Sequence, residues 1–178
     1  MLIKIIPPII TPKQKTLGVF IMKIKDLLLI ANLRANGRET LTNISKKVGM
    51  PISTIFDKMK SHQGEIIKKH TTLIDFASIG FGTKAIMTLK AKKDERIKLK
   101  EFLEKNQNIN TISKINNGYD YLIEVIFKNL KEMEEFTENL EEKFKIKSRQ
   151  TYYVIEDIRR ETFMSDPEHV KLIYNHEK

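Results

Sequence analysis

Residues 40–63, TLTNISKKVGMPISTIFDKMKSHQ, decide how the first part of this chain folds. Thr40 is an N-cap residue by its chemistry, since its hydroxyl accepts from a backbone N–H two or three positions on. Leu41, Ile44 and Val48 recur at the spacing of one helix face before Gly49 stops the run. Gly49-Met50-Pro51 then reads as a tight turn, with Pro51 suited to the first turn of a helix that runs on to Gln63. On a wheel of about 100° per residue, Ile52, Ile55, Phe56 and Met59 gather on one side, the expected core face. The other side carries Ser53, Thr54, Asp57 and Ser61, edged by Lys58 and Lys60.

Upstream, Ile24, Leu27, Leu28 and Ala31 mark the stripe of an earlier helix that ends near Asn36-Gly37. Three short helices with a tight turn between the last two make a helix-turn-helix. An outward face of small hydrogen-bonding groups bordered by positive charge suits the major groove of double-stranded DNA. Downstream, Glu65 to His70 and Thr71 to Phe76 read as two extended stretches, with Ile66, Ile67, Leu73 and Ile74 as their apolar contacts. They would form a wing that brings Lys68 and Lys69 to phosphates. The expected DNA contacts are therefore Ser53, Thr54, Lys58, Lys60, Lys68 and Lys69. Asp57, near the middle of this face, repels phosphate or accepts from a cytosine amino group.

Charge supports this division. The 178 residues carry a formal net charge of +9. Residues 1–75 hold 13 basic and 5 acidic side chains, a net of +8, against 19 and 18 in the remainder, a net of +1. The polyanion is thus assigned to one half of the chain. No cysteine is present, which excludes a disulfide framework, a thiolate zinc site and thiol catalysis and fits a reducing compartment. No run approaches the roughly 18–20 apolar residues that span a bilayer, so no membrane partner is expected and the reading is soluble and cytoplasmic.

The second half alternates strands and helices. Thr83 to Lys90 places Ala85, Met87 and Leu89 on one strand face, and Asp94 to Lys105 follows as a helix with Leu99, Phe102 and Leu103 inward. Ile109 to Ile115 alternates again, Asn116-Asn117-Gly118 supplies a hairpin turn, and Tyr119 to Phe127 forms a long strand. A helix with the stripe Leu130, Met133, Phe136, Thr137, Leu140 and Phe144 precedes a last strand, Ser148 to Glu156. The fold class is α+β: an N-terminal winged helix-turn-helix and a C-terminal βαββαβ ferredoxin-like unit. Both helices of that unit cover one sheet face. The other face, with Tyr119, Tyr121, Tyr152 and Tyr153 on its strands, is too apolar for water and is expected to pair with a second copy. Domains are expected at 1–21 (an extension, read as a basic arm or poorly ordered), 22–76, a 77–82 linker, 83–157, and a 158–178 tail that is either a short helix or disordered.

In order and spacing, Asn36-Gly37-Arg38, Val48-Gly49, Ser53-Thr54-Ile55, Ile74-Asp75 with Gly80, and above all Asn117-Gly118-Tyr119-Asp120 resemble the Lrp/AsnC (feast/famine) transcription regulators over about Ile24 to Glu156. The resemblance implies a winged helix-turn-helix joined to an effector and oligomerisation domain, often called RAM. It also implies homodimers that assemble into tetramers or octamers, and a response to amino acids. The effector motif of that family falls on Gly118, Tyr119 and Asp120. Backbone amides at the glycine turn suit an α-carboxylate and Asp120 an α-ammonium group; the alternative is that Gly118 serves the hairpin and Asp120 caps it. The chain departs from the family at His62, at the short Gln63-Gly64-Glu65 link and at Asp57.

Two other readings compete. Relatives on this fold decarboxylate sirohaem, which calls for histidines or arginines converging on the sheet. His62, His70, His169 and His176 all lie outside it, no spacing resembles a metal site, and no catalytic residue or cofactor is expected. A metabolite-sensing oligomer without DNA binding is motivated by Asp57 and by the count of only 6 arginines among 32 basic residues.

Overall fold

The structure is a computed structural model, and residues 22–175 are described. The N-terminal arm at 1–21 and His176 lie outside that range. The chain divides into two compact units, one built from residues up to Thr71 together with those from Glu161 onward, the other from Thr72–Arg160.

The first unit begins with α1 (Ile24–Ala35), α2 (Leu41–Val48) and α3 (Ile52–His62). Thr40 caps α2 by accepting from Asn43 N at 3.2 Å. Gly49 ends it in left-handed backbone at φ 67°, a conformation that costs glycine little. Leu27, Leu28, Leu29, Ala31, Ile44, Val48, Met50 and Ile55 close the core. The last described helix, α6 (Pro167–Asn175), joins them, with Val170 1 % exposed in the same core and Met164 packed against it. It starts as its sequence dictates: Asp166 Oδ1 accepts from Glu168 N at 2.9 Å and Pro167 opens the first turn. The entering backbone turns through Glu161 and Met164, both at positive φ (51° and 55°). Arg34 of α1 fixes that turn by donating to the carbonyls of Phe163 at 2.7 Å and Glu161 at 3.2 Å, and to the Glu161 carboxylate at 3.0 Å. The described part of the expected 158–178 tail is thus a working part of the first core from Glu161 onward.

The expected wing is different. Among the described residues, no strand forms between 65 and 76, only a bridge between Gln63 and Ile67 around Gly64 at φ 83°. Ile66 and Leu73 stay exposed, so the two stretches never find the mutual apolar contact that would hold a hairpin.

The second unit is a four-stranded antiparallel sheet of β1 (Thr83–Ala91), β2 (Ile109–Lys114), β3 (Tyr121–Phe127) and β4 (Ile146–Tyr153) in the order β2-β3-β1-β4. With α4 (Arg96–Lys105) and α5 (Leu130–Lys143) it has the βαββαβ order. Ala85, Met87 and Leu89 of β1 and Tyr121, Ile123, Val125 and Phe127 of β3 share one buried face with Leu99, Leu103, Met133, Phe136 and Leu140 of the helices. Asn129 caps α5, accepting from Glu132 N at 2.9 Å. Leu130, expected inward, sits in the first turn and is exposed. Tyr121 and Tyr153 were expected on the open sheet face, yet Tyr121 is buried with its hydroxyl donating to Arg96 O at 3.0 Å, and the Tyr153 hydroxyl donates to Glu134 of α5 at 3.2 Å. Period-2 alternation assigns these side chains to the helix side, opposite Ile86, Leu122, Ile126 and Tyr152.

Candidate nucleic-acid interface and effector loop

The orientation of α3 follows from what it packs on. Ile55 is fully buried and Met59 packs against the core, whereas Ile52 and Phe56, expected inward, are 45 % and 57 % exposed. The elements beside α3 cover a narrower arc than the wheel assumed. On the opposite border, Lys58 is drawn back to α1, where its Nζ lies 2.6 Å from Asp26 Oδ1. Asp26 is 8 % exposed and accepts no aligned hydrogen bond at Oδ1, so Lys58 supplies its counter-charge. Relative to the sequence reading, the outward face is rotated by roughly 60°. It presents two adjoining ridges, Ile52-Phe56-Lys60 and Ser53-Asp57-Ser61, all exposed, while Thr54 and Lys58 stand half-buried at the border. Lys60 and Lys69 make no ion pair among the described residues, and Lys68 Nζ donates to Gly64 O at 2.9 Å.

Phe56 falls on the apolar side of the wheel yet stays exposed, because periodicity reports which residues are apolar, not how wide a neighbouring surface they meet. The buried Asp26, an acid in the first turn of an apolar helix, was the available signal that a lysine must come to it.

In the second unit, the turn before β3 takes the expected backbone, with Asn117 at φ 59° and Gly118 at φ 89°. Asp120 is fully engaged. Its Oδ1 lies 2.9 Å from Arg96 Nε, its Oδ2 accepts from Ala91 N at 3.0 Å, and its own N–H donates to Leu89 O at 2.8 Å. The residue ties the hairpin to β1 and to the start of α4. Tyr119 places its hydroxyl 3.5 Å from Ser148 Oγ. Glu124, four residues on, faces cations: Lys84 at 3.6 Å and Arg160 at 3.9 Å, with Lys84 also bound to Asp157 at 2.8 Å. A half-open cleft of about 220 Å³ lies at the far end of β3 between Ile126, Phe76, Ile79, Phe81 and Asn108. Ligand pockets usually exceed about 300 Å³. Among the described residues no three His, Asp or Glu side chains are placed to hold a metal ion. None of the described helices is long and apolar enough to cross a membrane.

The chain thus combines a helical unit whose third helix keeps one side exposed with a separate βαββαβ unit. Residues 84–163 match the family described as the Lrp/AsnC ligand binding domain. An HTH-type transcriptional regulator of Pyrococcus abyssi is 22 % identical over 80 % of this chain and 97 % of its own length. A second, from Pyrococcus horikoshii, is 29 % identical over 62 % of this chain and 74 % of its own. Among solved structures, E. coli AsnC has the same fold at a TM-score of 0.72 and 16 % identity, covering 82 % of this chain and 99 % of that one. So does a transcriptional regulator of Neisseria meningitidis solved as a complex with L-Met, at 0.71 and 19 %, covering 78 % and 93 %. Over residues 84–163 the chain thus resembles the Lrp/AsnC ligand binding domain in sequence, and over most of its length it shares the fold of Lrp/AsnC regulators.

Proposed function

We propose that this protein is a cytoplasmic regulator that reads double-stranded DNA through its helix-turn-helix unit and acts as a homodimer or larger oligomer. The observation that carries the reading is the Gly49 turn, which sets α3 with one side seated on Ile55 and the other bare, in the half of the chain that holds +8 of the +9 net charge. Ser53 and Lys60 lie on the bare side and Thr54 at its border; Lys68 and Lys69 follow it in irregular backbone where phosphates would pass. Lys58 contributes mainly by holding α3 to α1.

Dimerisation is assigned to the sheet face of Ile86, Leu122 and Tyr152, of which the first two are half-buried and Tyr152 is exposed; Ile155 and Ile158, which follow β4 in sequence, are 99 % and 91 % exposed. A small effector, an amino acid by analogy with the Neisseria relative, is assigned to the Gly118-Tyr119-Asp120 loop. Any α-ammonium group reaching Asp120 has to displace Arg96, so the backbone of the turn, rather than the carboxylate, is the proposed anchor. No chemical reaction is assigned.

The test is a gel-shift series of the full chain on its own promoter DNA, across salt and with an amino-acid pool. Retarded complexes whose log affinity falls linearly with log salt are expected. Absence of any shift at low salt would leave a sensor without DNA binding.

A further inference from the structure

Among the described residues, the packing of the first unit leaves the ridge Ile52-Phe56-Lys60 exposed. Its members stand at i, i+4 and i+8, so they form one row along α3. Two are large, apolar and about half exposed, and the third is a lysine without an ion pair among the described residues. Two exposed side chains are far too small an area for a stable protein interface, which needs about 1,000 Å². The row also begins at the N-terminal end of α3, the end that meets base edges when such a helix enters a major groove. Within the groove the one apolar group on the base edges is the 5-methyl of thymine.

Resting on the DNA-binding reading above, we propose that Phe56, supported by Ile52, reads a thymine methyl group in each half-site of the operator. Lys60, one turn further along the row, meets the backbone phosphate and sets the depth of the helix. Asp57, on the adjoining ridge, faces the neighbouring base pair, where a cytosine amino group is the partner it accepts from. The operator is thus expected to carry thymine beside cytosine at the contact of each α3, although the protein is poor in the arginines that read guanine.

The experiment uses the full chain and duplexes enriched by it from a random library. Each thymine is then replaced singly by deoxyuridine, which removes only the methyl group, and affinity is read by fluorescence anisotropy. Losing one buried methyl costs roughly fourfold in affinity, about fifteenfold for both half-sites. One thymine per half-site is expected to show this loss with the unaltered protein and none with Phe56→Ala, whose salt dependence stays the same. Phe56→Leu is expected to keep part of the discrimination, which guards against a change in fold.

If the protein binds its selected duplexes and no deoxyuridine substitution matters, or Phe56→Ala remains sensitive at the same position, the proposal is overturned while the DNA-binding reading stands. If Phe56→Ala instead lowers the oligomeric state in sedimentation, the ridge is a protein contact and the proposal fails. If the unaltered protein enriches no duplex at any salt, the DNA-binding reading fails and this proposal with it.

Discussion

Lys58 and Lys60 differ by two positions and by their whole electrostatic situation. Lys60 is free to meet phosphate, so Lys60→Ala should lower the slope of log affinity against log salt by about 1 with little change in stability. Lys58→Ala removes the counter-charge of a nearly buried carboxylate. It should cost roughly 1–3 kcal/mol in urea unfolding while leaving the salt slope nearly unchanged. Asp75 shows the opposite use of an acid. Its carboxylate accepts from the Ser78 hydroxyl and from the amides of Ser78 and Ala77, capping a 3-10 turn that Gly80 closes at φ 93°. The Ser78 hydroxyl, then the Ser78 amide, hold the Asp75 carboxyl below its ordinary value. A lowered folded value means the turn is favoured above the unfolded value and loses that support as pH falls through the folded one. An NMR titration should place the Asp75 midpoint below that of an unstructured aspartate, and Ser78→Ala should return it toward that reference. A midpoint unmoved by Ser78→Ala would refute the assignment.

At the level of elements, what was legible followed from whether a pattern names its own partner. Strands β1 and β3 alternate because one face meets two helices, and Asn117-Gly118 can only be a turn, so the βαββαβ order could be read directly from the sequence. Thr40 and Gly49 likewise bracketed α2. The stretch from 65 to 76 misled because Ile66, Ile67, Leu73 and Ile74 suggest strands without saying what they pair with. For α6 the signal was present in Ser165-Asp166-Pro167-Glu168, a helix start, but nothing local says that its Val170 belongs in a core begun more than a hundred residues earlier. The candidate DNA face was legible in composition and not in rotation, since the Lys58–Asp26 pair joins two helices. Val170→Ala should lower the stability of the first unit by roughly 2 kcal/mol, read by urea unfolding of that unit, and leave the sheet unit untouched. A loss of sheet stability instead would refute the independence of the two cores.

On the scale of the whole molecule, two cores without shared members allow the proposed labour to be divided, with oligomerisation in the sheet unit and DNA contact in the helical unit. Tyr152→Asp places a charge on the sheet face proposed for dimerisation and should convert the proposed oligomer to monomers in sedimentation with an unchanged far-ultraviolet dichroism spectrum. An unaltered sedimentation coefficient would remove that face from the interface. The division of the chain also orders its birth on the ribosome. Helix α1 is made early, yet Val170, which completes its core, emerges only after the entire sheet unit has been translated. The sheet can therefore close while α1 still lacks a cover, since domains fold as units during synthesis. Chains ending at Arg160 and released from the ribosome should resist protease in the sheet and be cut in the helices. The core beneath α3 is then finished last, on a chain whose sheet unit already exists.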